Sequence, residues 1–153
     1  MRARMARPHG RSAVILAAAG IVLTLVGAAA AAVGWLDPRL ISDQLPPDAG
    51  IDAAAVGGAA VALGVAAALL GLVHLLVALA LRRAIGVAPT AAVGLAATMA
   101  VLSLGFGVAA LVSIASAAAP AVLMLPAAIG LIGAVIAYGA TAAGIIRGRK
   151  GPI

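Results

Sequence analysis

Residues 53–81 read AAAVGGAAVALGVAAALLGLVHLLVALAL, a run without a single charge in which His74 is the only ionisable side chain. A helix crossing a hydrocarbon core of about 30 Å needs roughly 20 consecutive apolar residues, so this run spans a bilayer with length to spare. Three further charge-free stretches have comparable length: Ala13 to Trp35, Ala91 to Ala118, and Ala121 to Ile146. The first of these holds Val14, Ile15, Leu16, Ile21, Val22, Leu23, Leu25, Val26 and Val33. At roughly −0.3 to −0.6 kcal/mol each they favour insertion by about 3 to 5 kcal/mol.

The rest of the composition agrees. The 153 residues are 65% hydrophobic, 9% charged and 2% aromatic, with a mean hydropathy of +1.26. Soluble domains are near half apolar and a quarter charged, and a chain this short has too much surface to hide such an excess from water. The solvent for these side chains is lipid. The absence of cysteine excludes disulfides, thiolate metal sites and cysteine nucleophiles.

Charge then sets the topology. Arg2, Arg4, Arg7 and Arg11 precede the first segment, Arg82 and Arg83 separate the second and third, and Arg147, Arg149 and Lys150 follow the fourth. Four crossings put all nine on one side. Arg39 and every acid, Asp37, Asp43, Asp48 and Asp52, fall on the other. Short loops rich in Lys and Arg stay cytoplasmic. The expected fold is therefore all-α, an integral membrane four-helix bundle with both termini cytoplasmic. Residues 1–12 and 147–153 form basic tails, and 13–146 form the membrane domain with an acidic exterior loop at 36–52. A rival reading makes the first segment a cleaved signal, since an Arg-rich start and an Ala-rich exit at Ala28, Ala29 and Ala30 have that form. Its apolar run is longer than a usual signal core, and cleavage would leave three crossings with the same loop orientation.

The connections differ in character. In the first, Asp37-Pro38, Pro46-Pro47 and Asp48-Ala49-Gly50 are breaker and turn signals. Leu40, Ile41 and Leu45 between them suit one short turn on the membrane surface, with Trp35 as an interfacial anchor. The third, Ser116 to Leu125, carries no charge and is broken by Pro120 and Pro126, so its tip is expected among the headgroups.

Small residues recur with a period of seven. Gly20, Thr24, Gly27, Ala31 and Gly34 mark the first segment, and Gly57, Gly64, Gly71 and Ala78 mark the second, with Ala60, Ala67 and His74 between them. The third offers Ala96, Ala100, Ser103, Gly107 and Ala110; the fourth offers Gly130, Gly133, Ala137, Ala140 and Gly144. Such spacing lets helix backbones approach closely in lipid, and a seven-residue period favours left-handed crossings near +20°. Gly20, Gly27, Gly34, Gly57, Gly64, Gly71, Gly130 and Gly133 are the expected packing positions.

An ionisable group at membrane depth is a candidate for function. His74 lies eight residues before Arg82, about 12 Å along the helix at 1.5 Å per residue. Similar counts reach Thr98 and Tyr138, with Thr24 somewhat deeper, so these four form a candidate polar layer. A neutral interhelical hydrogen bond, worth about 0.6 kcal/mol on average, competes with proton relay or substrate contact as the role of His74.

Elsewhere chemistry lacks its parts. His9 sits among arginines without the three protein ligands of a catalytic zinc. Asp43, Asp48 and Asp52 do not follow calcium-loop spacing, and Asp52 suits the N-cap of the second segment. Ser103, Ser113 and Ser116 have no base nearby in sequence, and Gly57-Gly58 and Gly105-Phe106-Gly107 lie inside apolar helices rather than phosphate loops.

The expected function is that of a noncatalytic accessory subunit or helix-packing scaffold without a cofactor, with a small oligomeric transporter or pore around His74 as the alternative. The expected partners are the bilayer, anionic lipids at the cytoplasmic face, and a larger membrane protein or a second copy. Net charge of +6 without aromatics interleaved among the arginines argues against nucleic acid. The Ala, Gly and Arg content hints at a GC-rich bacterial genome and a plasma-membrane location.

Overall fold

The computed structural model describes residues 9–43, 52–115 and 121–149. Helix α1 spans Gly10–Leu36, the single turn α2 Arg39–Ser42, α3 Ala53–Arg82, α4 Ala88–Ala115 and α5 Ala121–Arg149. No strand occurs among the described residues. The four long helices are each long and apolar enough to cross a membrane, and the chain is a multi-pass membrane protein. Arg2, Arg4, Arg7, Asp48, Lys150 and the connection at 116–120 lie outside the described residues.

The ends of the helices follow from local chemistry. After α1, the Asp37 amide still donates to the Val33 carbonyl at 2.9 Å, and Pro38 then halts the helix. The turn expected around Leu40 and Ile41 is α2, placed at Arg39–Ser42. Asp52 stands at the N-cap position of α3, where its carbonyl accepts from the Val56 amide at 3.1 Å. At the other end Ile85 donates to the Ala80 carbonyl at 3.1 Å and Ala84 to Leu81 at 3.2 Å, the double bond of a Schellman cap. That cap puts Ala84 at φ 56°, a left-handed conformation usually given to glycine.

Several boundaries depart from expectation: α1 begins at Gly10 rather than Ala13, α4 ends at Ala115 rather than Ala118, and α5 runs to Arg149 rather than Ile146, so parts of the expected basic tails are helical. Helix α4 begins at Ala88 rather than Ala91 because Pro89 falls in its first turn, where no amide hydrogen is needed. Pro126 does not act as a breaker. It lies inside α5 as its sixth residue, where it withholds one amide from the Val122 carbonyl, and the helix continues past it, as proline-containing membrane helices do.

Side chains are distributed as lipid requires. Leu25, Leu63, Val101, Phe106 and Ile136 are among many large apolar residues facing outward, whereas much of the buried set is alanine: Ala13, Ala78, Ala88, Ala92, Ala96 and Ala128. Lipid tails are as apolar as leucine, so burying leucine gains nothing, and close backbone approach over small residues is what binds the helices.

The chain divides into two compact units, one from Leu16 to Leu76 and the other combining the start of α1, up to Ile15, with the chain from Val77 onward. In the first, α1 and α3 run against each other in opposite directions. In the second, α4 and α5 form an antiparallel hairpin in which Gly107 lies against Leu131.

Candidate functional site

Among the described residues, the closest approach of two helices is the seam between α1 and α3. A Cβ built on Gly27 would lie 2.5 Å from both the Gly64 carbonyl oxygen and the Ala68 amide nitrogen; one built on Gly64 would lie 2.5 Å from the Gly27 carbonyl and the Ala31 nitrogen. The same reciprocity holds at Gly34 and Gly57, each 2.7 Å from the other's carbonyl oxygen. Gly20 and Gly71 repeat it at 2.8 and 2.6 Å. Each step of seven residues along α1 is matched by a step of seven back along α3. Only glycine leaves room for backbone to touch backbone at all six positions.

Two members of the expected polar group sit at one end of this seam. Thr24 is half-buried and its hydroxyl donates to the Gly20 carbonyl at 2.8 Å; a Cβ on Gly71 would collide with its Oγ1. His74 is fully buried, and its own Cβ lies 3.0 Å from where a Gly20 Cβ would stand. Its Nδ1 is 2.8 Å from the Leu70 carbonyl oxygen. A carbonyl only accepts, so Nδ1 carries the hydrogen and, in the neutral ring, Nε2 presents a lone pair. A ring held at 0% exposure without its Nδ1 bond would leave a desolvated polar group in an apolar seam.

Tyr138 and Thr98 belong to the other unit. Tyr138 is buried, at 5% exposure. Thr98 is exposed on α4, which corrects the expected layer: counting residues fixes depth along a helix but not the direction in which a side chain leaves it. Among the described residues of this unit, Ser12, Ser103 and Thr141 are buried hydroxyl residues alongside Tyr138, and Thr141 donates to the Ala137 carbonyl at 2.8 Å. Thr141 lies three residues beyond Tyr138 and so on the same face of α5, a spacing that would have marked it in the sequence.

The fourth-segment stripe also needs correction. Gly130 and Gly133 are exposed, and a Cβ on either meets nothing within 4 Å. Gly144, on the same expected stripe, does pack: a Cβ built on it would lie 3.5 Å from the Ser12 hydroxyl. Ala and Gly occupy more than one face of α5, so their spacing alone does not select the packed face.

Asp37, Asp43 and Asp52 are exposed, and no group of three or more His, Cys, Asp or Glu able to hold a metal occurs among the described residues. His9, half-buried at the entry to α1, holds Nδ1 buried without a hydrogen-bond partner among the described residues. No family model, no curated protein and no solved structure matches the chain.

Proposed function

We propose that the protein is a noncatalytic helix-packing scaffold or accessory subunit of a membrane assembly, resident in a bacterial plasma membrane. On this reading the arginine-rich side faces the cytoplasm and anionic headgroups, and nucleic acid is not a partner. The observation that carries the proposal is the reciprocal glycine seam of α1 and α3, whose three glycine pairs use backbone contact to fix two helices side by side. A second feature supports a partner. Gly94, Gly105, Gly130, Gly133 and Gly139 place small residues where an added Cβ meets nothing within 4 Å, more packing surface than the chain itself uses. Extraction at native abundance followed by identification of co-purifying proteins tests the reading: a defined membrane partner supports it, and a lone protein argues against the accessory role.

The complete burial of His74 favours a second reading, a small oligomeric transporter or pore. Proton flux into liposomes separates the two. A scaffold gives no flux with parent or His74→Gln protein; flux in the parent that is abolished by His74→Gln supports transport.

A further inference from the structure

We propose that a groove at the start of α1 binds the headgroup and upper acyl chain of one anionic phospholipid. The proposal rests on the reading that the four long helices lie in a bilayer. The groove has a volume of about 350 Å³ and is lined by Gly10, Arg11, Val14 and Ile15. That volume falls at the small end of the range for ligand sites of roughly 300 to 1,000 Å³.

The lining is ordered as a phospholipid is. Arg11 is exposed, and Val14 and Ile15 follow it at the i+3 and i+4 positions that share its helix face. At 1.5 Å per residue they lie about 4.5 to 6 Å deeper along the axis. A guanidinium forks onto a phosphate in two parallel bonds, and the apolar pair below it receives the first methylenes of a chain. Val14 is 53% exposed, so its side chain is available to that contact.

Charge balance in the same unit calls for an anion from outside. Residues 1–15 and 77–153 contain nine of the ten basic residues and no Asp or Glu; all four acids lie between Asp37 and Asp52. The basic residues also gather at one end. The Ser12–Gly144 contact puts Arg11 beside the last turns of α5, where Arg147 is exposed. Counting back from Gly107 to Ala88, and forward a similar distance from Leu131 to the end of α5 at Arg149, brings the start of α4 and the adjoining Arg83 to that end. An acidic protein or a nucleic acid would satisfy the arginines but leave the apolar floor of the groove unused.

The test uses the full chain purified in neutral detergent and titrated with phosphatidylglycerol or with phosphatidylcholine of identical acyl chains, bound lipid being counted by native mass spectrometry. One phosphatidylglycerol should bind at least about fivefold more tightly than phosphatidylcholine, the worth of roughly one basic side chain at an anionic surface. Arg11→Gln should remove that preference. Gly10→Leu should weaken binding as much while keeping the charge, because a Cβ at Gly10 meets nothing within 4 Å and the added side chain fills the groove without clashing. Arg83→Gln, outside the groove, should change binding less than twofold. Equal effects of Arg11→Gln and Arg83→Gln would show diffuse surface charge and overturn the site, as would full binding by Gly10→Leu or no preference in the parent. Flotation of each variant with vesicles reports separately on membrane insertion, so failure of the groove is distinguishable from failure of the bilayer reading.

Discussion

Replacing Gly27 by alanine adds one methyl group at the tightest point of the α1–α3 seam. Its Cβ would stand 2.5 Å from the Gly64 oxygen and the Ala68 nitrogen, whereas ordinary contact begins at 3.4 Å, so the helices must separate locally by about 0.9 Å (3.4 − 2.5). Both obstructing atoms are backbone, so no rotamer change relieves the clash. A gap of that size forfeits between a quarter and a half of each atom pair's dispersion energy. Summed along the seam, the loss is about 2 kcal/mol, inside the range of about 1 to 3 kcal/mol for overpacked sites. Melting in detergent, followed by circular dichroism, should show a midpoint lowered by about 4 to 8 °C. The matched control is Gly139→Ala, where the new Cβ meets nothing within 4 Å. There the better helix propensity of alanine should leave the midpoint unchanged or raise it by the equivalent of about 0.5 to 1 kcal/mol. Equal midpoints for the two variants would refute the assignment of the seam.

Other substitutions test the same packing from different sides. Leu25→Ile and Leu69→Ile, at outward-facing positions of constant volume, should each cost under about 1.5 kcal/mol in the same melting assay. Gly64→Leu, in contrast, should destabilise more than Gly27→Ala, since a larger side chain meets α1 backbone, the Gly27 oxygen and the Ala31 nitrogen, at the same 2.5 Å. Ala84→Gly relieves a left-handed alanine at the α3 cap and should stabilise the protein by about 0.5 to 1 kcal/mol; an unchanged or lower midpoint would contradict the cap geometry. His74→Leu should cost at most about 1 to 2 kcal/mol and His74→Gln less, because glutamine retains a donor and an acceptor; a larger loss with glutamine would show that the ring makes a contact beyond its hydrogen bond to the Leu70 carbonyl of the same helix.

The helices were legible because lipid imposes a length and forbids charge: from Ala53 to Leu81 the sequence and the structure agree almost to the residue. The α1–α3 seam was legible because its glycines keep one period over three repeats in each helix. Azimuth was not legible. Thr98 is exposed on α4, a direction that counting residues does not give, and Gly130 and Gly133 belong to a helix whose small residues encircle it, so no single face stands out. The α3 cap was hidden because alanine occupies the left-handed position that glycine normally signals, while Pro126 looked like a terminator although α5 continues past it.

Four crossings with the acidic connection opposite both tails is the arrangement on which orientation, lipid contact and partner access all depend. The chain has no native cysteine, so single probes carry no background. Asp43→Cys and Gly148→Cys should be introduced separately and intact cells treated with an impermeant maleimide. Four crossings with cytoplasmic ends predict labelling at residue 43 and none at 148 until the cells are permeabilised. Labelling at 148 but not at 43 in intact cells would contradict the orientation, and labelling at both would contradict the three crossings that separate them and their placement on opposite sides.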